Sequence, residues 1–193
     1  MPIPEFLSTV ASAFTLIGLA EIGDKSQLVC MALAARHRHW PVLLGASVAF
    51  VLLNALAVVF GAAVAAWVPE NIAAAVVAVM FAAFGIHFLR AGDEGEEEGE
   101  VTSTGRSIFV TTLLLIFVAE FGDKTQIAVA GLAVSLPPWP VWVGASAALI
   151  CVSGLGIWVG RTFLQRLPMH WLHRISGGLF LLFAAFAGWR AFA

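Results

Sequence analysis

Six apolar runs dominate the chain, at residues 6–35, 42–68, 72–89, 107–134, 141–163 and 171–193. Each meets or approaches the ~20 residues that a helix needs to cross a hydrocarbon core of ~30 Å, whereas a spanning strand needs only ~10. With 61% hydrophobic residues and a mean hydropathy of +0.95, the 193 residues carry more apolar side chain than one small soluble core can hide. The expected fold is therefore an all-α membrane bundle of six transmembrane helices. No Lys or Arg precedes the first run and no small-residue cleavage site follows it, so a retained first helix is expected rather than a cleaved signal.

The runs are internally related. Adding 99 to a residue number carries Glu21 onto Glu120, Gly23 onto Gly122, Asp24 onto Asp123, Lys25 onto Lys124 and Gln27 onto Gln126. The same offset carries Pro41, Val42, Gly45, Ala46, Ser47, Ala49, Leu56 and Gly61 onto Pro140, Val141, Gly144, Ala145, Ser146, Ala148, Leu155 and Gly160, and Phe81 and Phe84 onto Phe180 and Phe183. Chance likeness between apolar helices does not hold one register through polar and glycine positions, so the pattern reads as a duplicated three-helix unit. Residues 1–91 form the first unit, 92–106 a linker and 107–193 the second.

An odd number of crossings per unit has a topological consequence. Each unit ends on the side opposite its start, and the linker has no apolar span to return the chain, so the second unit is expected to be inverted, as in many secondary transporters. Arg36, Arg38, Arg90, Arg106, Arg161, Arg166 and Arg174 all fall on one side, against Arg190 on the other, which makes that side cytoplasmic and puts both termini outside. The linker "GDEGEEEGEVTSTG" from Gly92 is acidic and glycine-rich, and reads as a solvated tether. His37, His39, His170 and His173 fall in the basic loops and His87 near Arg90, all as interface residues. Cys30 and Cys151 lie far apart in apolar surroundings and fit packing better than a disulfide.

Against this background "AEIGDKSQ" from Ala20 and "AEFGDKTQ" from Ala119 are anomalous. They contain both lysines of the protein and four of the six acids outside the linker. A central Asp or Lys costs ~2.5 to 3.5 kcal/mol in a membrane helix, so something inside the bundle must offset these charges. One possibility is a pair of internal i,i+4 ion pairs, Glu21 with Lys25 and Glu120 with Lys124, which leaves Asp24 and Asp123 uncompensated. The other is a functional site. Four carboxylates and two ammonium groups sum to −2 when all are ionised, the charge that one divalent cation neutralises.

On a continuous helix Glu21 and Asp24 share a face at i,i+3, and Gln27 adds a carbonyl oxygen; inversion brings Glu120, Asp123 and Gln126 to the same depth. The expected metal ligands are these six side chains. All-oxygen donors suit Mn²⁺, Ca²⁺ or Mg²⁺, whereas zinc or copper would recruit thiolate or imidazole. Cys30 and Met31 have no Cys or Met counterparts at Val129 and Ala130 and are assigned to packing. Lys25 and Lys124 are expected as counter-ions, and Ser26 and Thr125 as supporting donors or as satisfiers of local carbonyls. Gly23 and Gly122 imply close packing or a helix break that frees backbone carbonyls. The "GAS" segments at Gly45 and Gly144 read as contact faces for the motif helices, with Ser47, Ser146, Asn54 and Ser153 as minor polar lining.

The paired E-x-G-D-K-[ST]-Q motif in a chain of two three-helix units resembles the cation/proton exchanger family that includes bacterial manganese exporters and the Golgi manganese/calcium transporters of eukaryotes. The resemblance covers essentially the whole chain, and "EIGDKSQ" and "EFGDKTQ" match its pattern without departure. It implies that Glu21, Asp24, Glu120 and Asp123 form the cation site, that protons are exchanged for Mn²⁺ or Ca²⁺, and that the protein sits in a bacterial inner membrane. Beyond the bilayer, the transported cation and protons, no cofactor and no nucleic-acid partner is expected. Clustered carboxylates repel one another and so favour protonation, which independently suits a site that holds either a cation or protons. An exporter of small organic solutes is the principal rival. A membrane-embedded enzyme fits less well, because catalysis generally needs unlike acid, base and nucleophile roles rather than duplicated motifs. No Walker A sequence, H-E-x-x-H or G-x-S-x-G occurs.

Overall fold

The computed structural model describes residues 1–90, 108–164 and 169–192. The acidic linker lies outside the described residues, as do the side chains of Lys25, Phe84, His87, His170 and His173. The described chain is all-helical: α1 (Ile3–Glu21), α2 (Lys25–Arg36), α3 (His39–Trp67), α4 (Glu70–Arg90), α5 (Ile108–Glu120), α6 (Lys124–Ser135), α7 (Pro138–Leu164) and α8 (Met169–Phe192). The stretches Ile3–Glu21, His39–Trp67 and Pro138–Trp158 are long and apolar enough to cross a membrane, and Asn71–Ala83, Ile108–Glu120 and Gly177–Trp189 are shorter apolar stretches. Large apolar side chains such as Val59, Phe60, Val79 and Leu182 face outward, and Trp40, Trp67, Trp139 and Trp189 are exposed close to helix ends. An apolar exterior with aromatic ends is the surface of an integral membrane protein.

Two of the six expected runs are not single helices. The first is α1 and α2, broken at residues 22–24, and the fourth is α5 and α6, broken at 121–123. The cause is local. Gly23 (φ 86°) and Gly122 (φ 80°) adopt the left-handed conformation that side chains with a Cβ avoid, and no other described residue has positive φ. Across each break a tight turn replaces the helical ladder, with Asp24 N–H donating to Glu21 O and Asp123 N–H to Glu120 O, both at 3.1 Å. Elsewhere prolines start helices in the first turn, where their missing N–H costs nothing: Pro4 in α1, Pro41 in α3, Pro138 and Pro140 in α7.

The helices pack across the halves. α3 and α7 cross at the centre, α1 and α2 lie on α7, α5 and α6 lie on α3, and α4 pairs with α8. The central interface buries equivalent residues from each side: Val42, Ala46, Ala49 and Phe50 of α3, and Val141, Ala145, Ala148 and Leu149 of α7. Glycines set the approach of the motif helices. A Cβ on Gly45 would strike the Phe109 carbonyl of α5, and one on Gly144 the Val10 carbonyl of α1. Each "GAS" segment thus contacts the motif helix of the opposite half. At the α4–α8 contact Phe81 packs on its own counterpart Phe180, with ring centroids 5.7 Å apart. Cys30 is buried, Cys151 is exposed, and both are free thiols.

Candidate functional site

The two breaks meet at the interface between the halves. Glu21, the last residue of α1, is 1% exposed, and its carboxylate accepts two hydroxyl hydrogen bonds. Ser26 Oγ, on the helix that follows, donates to Oε1 at 2.7 Å; Thr125 Oγ1, on α6 of the other half, donates to Oε2 at 2.7 Å. Both hydroxyls therefore serve the first glutamate. A carboxyl group this deeply buried is tolerable only with such hydrogen-bond partners.

A second link carries charge. Lys124 Nζ lies 2.9 Å from Asp24 Oδ2, with the Asp24 side chain almost wholly buried. The i,i+4 pairing of Glu120 with Lys124 presumed a continuous helix; the break at 121–123 ends α5 at Glu120, and Lys124 begins α6 as the partner of Asp24 in the other half. The same interruption removes the shared helix face assumed for Glu21 and Asp24, since Asp24 lies beyond the end of α1. The turn after each glutamate instead sets where its aspartate lies. Glu120 is buried and Asp123 half-buried. Among the described residues no three His, Cys, Asp or Glu side chains converge as a set that could hold a metal ion in this conformation.

The glutamines act on the backbone. Gln27 Oε1 accepts from the Gly23 N–H at 2.7 Å, and its Nε2 donates to the Val152 carbonyl of α7 at 2.9 Å. Gln126 repeats the pattern, accepting from the Gly122 N–H at 2.6 Å and donating to the Leu53 carbonyl of α3 at 3.4 Å. Both side-chain oxygens are engaged by the backbone in this conformation. Leu53 and Val152 were not singled out from sequence, because a carbonyl that accepts such a bond leaves no mark in the side chain; their shared offset of 99 was the available signal.

Of the minor polar residues, Asn54 Nδ2 donates to Ser146 Oγ at 3.2 Å across the α3–α7 contact. Ser47 donates to the Leu43 carbonyl of its own helix. Ser153 is buried on α7.

Comparison with known proteins agrees in extent with these two halves. The chain is 31% identical over 186 residues to a Vibrio cholerae protein named "Putative manganese exporter", covering 95% of this chain and 92% of that one. It is 28% identical to the GDT1-like protein sll0615 of Synechocystis, over 97% of this chain and all of the relative. It is 24% identical to the divalent cation/proton antiporter GDT1 of Saccharomyces cerevisiae, over 96% and 85% of the respective chains. No solved structure matches it significantly. The family model described as divalent cation/proton antiporter GDT1 matches residues 9–96 and 108–193, and the chain belongs to that family.

Proposed function

We propose that this protein is a secondary transporter that exports a divalent cation, Mn²⁺ first and Ca²⁺ next, in exchange for protons. The observation that carries the reading is the cross-half network in which Thr125 of one motif bonds Glu21 of the other and Lys124 pairs with Asp24. A site shared between two halves is what alternating access requires, because relative movement of the halves then changes which side the site faces. Membership of a transporter family and the duplicated, like-for-like motif both speak for transport rather than enzymatic catalysis.

In this reading Glu21, Asp24, Glu120 and Asp123 are the cation ligands, hard oxygen donors suited to Mn²⁺ or Ca²⁺. Lys124 is a tethered counter-ion: its ammonium lies against Asp24 in this conformation and withdraws when a divalent cation takes that carboxylate. Lys25 is its equivalent in the first motif. Protons compete for the same carboxylates, so an inward proton gradient drives the cation out.

The six apolar runs are then two inverted three-helix repeats, 1–91 and 107–193, joined by a cytoplasmic linker at 92–106, with both termini outside a bacterial inner membrane. Exchange of packing partners, α1 on α7 against α5 on α3, and the meeting of Phe81 with Phe180 support that arrangement.

The test is transport by the purified protein in proteoliposomes or inside-out vesicles, across Mn²⁺, Ca²⁺, Mg²⁺ and Zn²⁺, with lumenal pH followed. An acidic lumen is expected to drive Mn²⁺ in while the lumen alkalinises, and a protonophore to abolish the effect. Metal uptake indifferent to the pH gradient would sink the exchange mechanism; export of an amino acid without metal flux would replace the function altogether.

A further inference from the structure

Each break in the motif helices creates a specific backbone problem. At the first, Ile22 N–H still donates to Gly18 O at 3.2 Å and Asp24 N–H closes the turn onto Glu21 O at 3.1 Å. The N–H between them belongs to Gly23, whose left-handed φ takes it off the helical ladder. A buried N–H without an acceptor costs about 1–3 kcal/mol, more where no water reaches it. Gln27 supplies the acceptor from one turn further on. Its amide nitrogen then faces outward from the break and donates to the opposite half, at the Val152 carbonyl of α7. Gln126 does the same for Gly122 and reaches the Leu53 carbonyl of α3.

The seats of the two glutamines differ. In a regular helix the Val152 carbonyl accepts from residue 156, four positions on, and that residue is glycine. A Cβ on Gly156 would come within 2.7 Å of Gln27 Cγ, so Gln27 reaches α7 only because residue 156 lacks a side chain. The equivalent residue on α3 is Ala57, whose methyl is present. The bond to α7 is 2.9 Å, and its counterpart to α3 is 3.4 Å. The closer seat accompanies the more buried motif: Gln27 is 2% exposed, while Gln126 is half-buried and Gly122 exposed.

We propose that Gln27 and Gln126 are positioning residues, two clasps that fix each helix break and fasten it to the long helix of the opposite half, with Gly156 and Ala57 making the first clasp tight and the second loose. Each clasp spans the surface along which the halves must move, so it sets how firmly a motif is held on its side of the site. The loose clasp marks the break that yields first. Cation exchange as proposed above enters only the transport readout below; the clasps themselves stand on backbone geometry.

Hydrogen exchange of the full-length protein in lipid nanodiscs, read at the amides of residues 22–24 and 121–123, tests this without any transport. Gln27→Leu is expected to speed exchange at 22–24 by about tenfold, the effect of losing one or two hydrogen bonds, and to leave 121–123 unchanged. Gln27→Glu should fall between Gln27→Leu and the wild type, because its carboxylate still accepts the Gly23 N–H but offers the Val152 carbonyl no N–H. Ala57→Gly, which removes one methyl and leaves every site residue in place, should slow exchange at 121–123. Unchanged exchange in both Gln27→Leu and Ala57→Gly overturns the proposal. With Mn²⁺ as the transported probe, Gln27→Leu should lower the maximal rate with little change in KM. A raised KM restored by Gln27→Glu would instead make Gln27 a cation ligand, and that also overturns it. If the wild-type protein moves no Mn²⁺, the exchange reading fails while the amide measurement still decides the clasps.

Discussion

The two motifs differ at only two of eight positions, yet their surroundings are unequal. In the first, Ile22 and Gly23 are half-buried and Asp24 and Gln27 buried; in the second, Phe121 and Gly122 are exposed and Asp123 and Gln126 half-buried. Duplicated sequence thus gives duplicated local structure, the same turn, the same positive-φ glycine and the same glutamine bond, without equivalent environments. The difference arises where the halves touch. Contacts within one motif repeat because sequence within it repeats; contacts between motifs depend on how the halves are set against each other, and that setting buries the first motif more deeply.

The largest expected effect separates the two aspartates. Asp24→Asn breaks the buried ion pair with the Lys124 ammonium, and removing one member of such a pair costs about 3 kcal/mol or more. Asp123 is only half-buried, so Asp123→Asn should cost less than Asp24→Asn. Thermal unfolding in detergent should therefore fall much further for the first variant, while under the proposed function both should lose Mn²⁺ uptake. Restoring the stability of Asp24→Asn with Lys124→Met would identify the lost pairing with the ammonium as the cause. Equal destabilisation by the two aspartate variants would mean that the inequality of the motifs has no energetic content.

A smaller effect is expected from the hydroxyls on Glu21. Leaving a buried acceptor short of a partner costs about 1–3 kcal/mol, so Ser26→Ala and Thr125→Val should destabilise by comparable amounts. Only Thr125 joins the halves. Thr125→Val should therefore also shift the balance between inward- and outward-facing forms, read as altered cysteine accessibility on the two sides, whereas Ser26→Ala should not. If Ser26→Ala shifts it equally, the cross-half bond is not what distinguishes them.

Much of the fold is legible in the sequence because lipid leaves few options. The apolar runs at 42–68, 72–89, 141–163 and 171–193 become the helices α3, α4, α7 and α8 with ends displaced by a few residues, since a chain surrounded by lipid must satisfy its backbone hydrogen bonds within the helix. The breaks were signalled by glycine in the middle of charged helices, although glycine alone did not distinguish close packing from a turn. The pairing of charges was not legible. Glu120 and Lys124 stand at a spacing that pairs them on a continuous helix, and the turn at Gly122 cancels that geometry. Nor could sequence show that Thr125 would reach Glu21, 104 residues away, because that depends on the crossing of α3 and α7.

The smallest effect concerns a pair of serines in identical "GAS" segments. Ser146 accepts from Asn54 across the central helix contact, whereas Ser47 donates to the Leu43 carbonyl one turn back on its own helix. Such back-bonding contributes almost nothing to helix stability, so Ser47→Ala should change thermal stability by no more than about 0.5 kcal/mol. Ser146→Ala leaves the buried Asn54 amide one acceptor short and should cost about 1 kcal/mol or more. Asn54→Ser places on α3 the residue that α7 carries at 153, making the two halves alike at this position. If the inequality of the halves extends into the α3–α7 contact, Ser146→Ala should then cost little more than Ser47→Ala. A cost for Ser146→Ala that persists in the Asn54→Ser background would locate the difference elsewhere in the packing of α7.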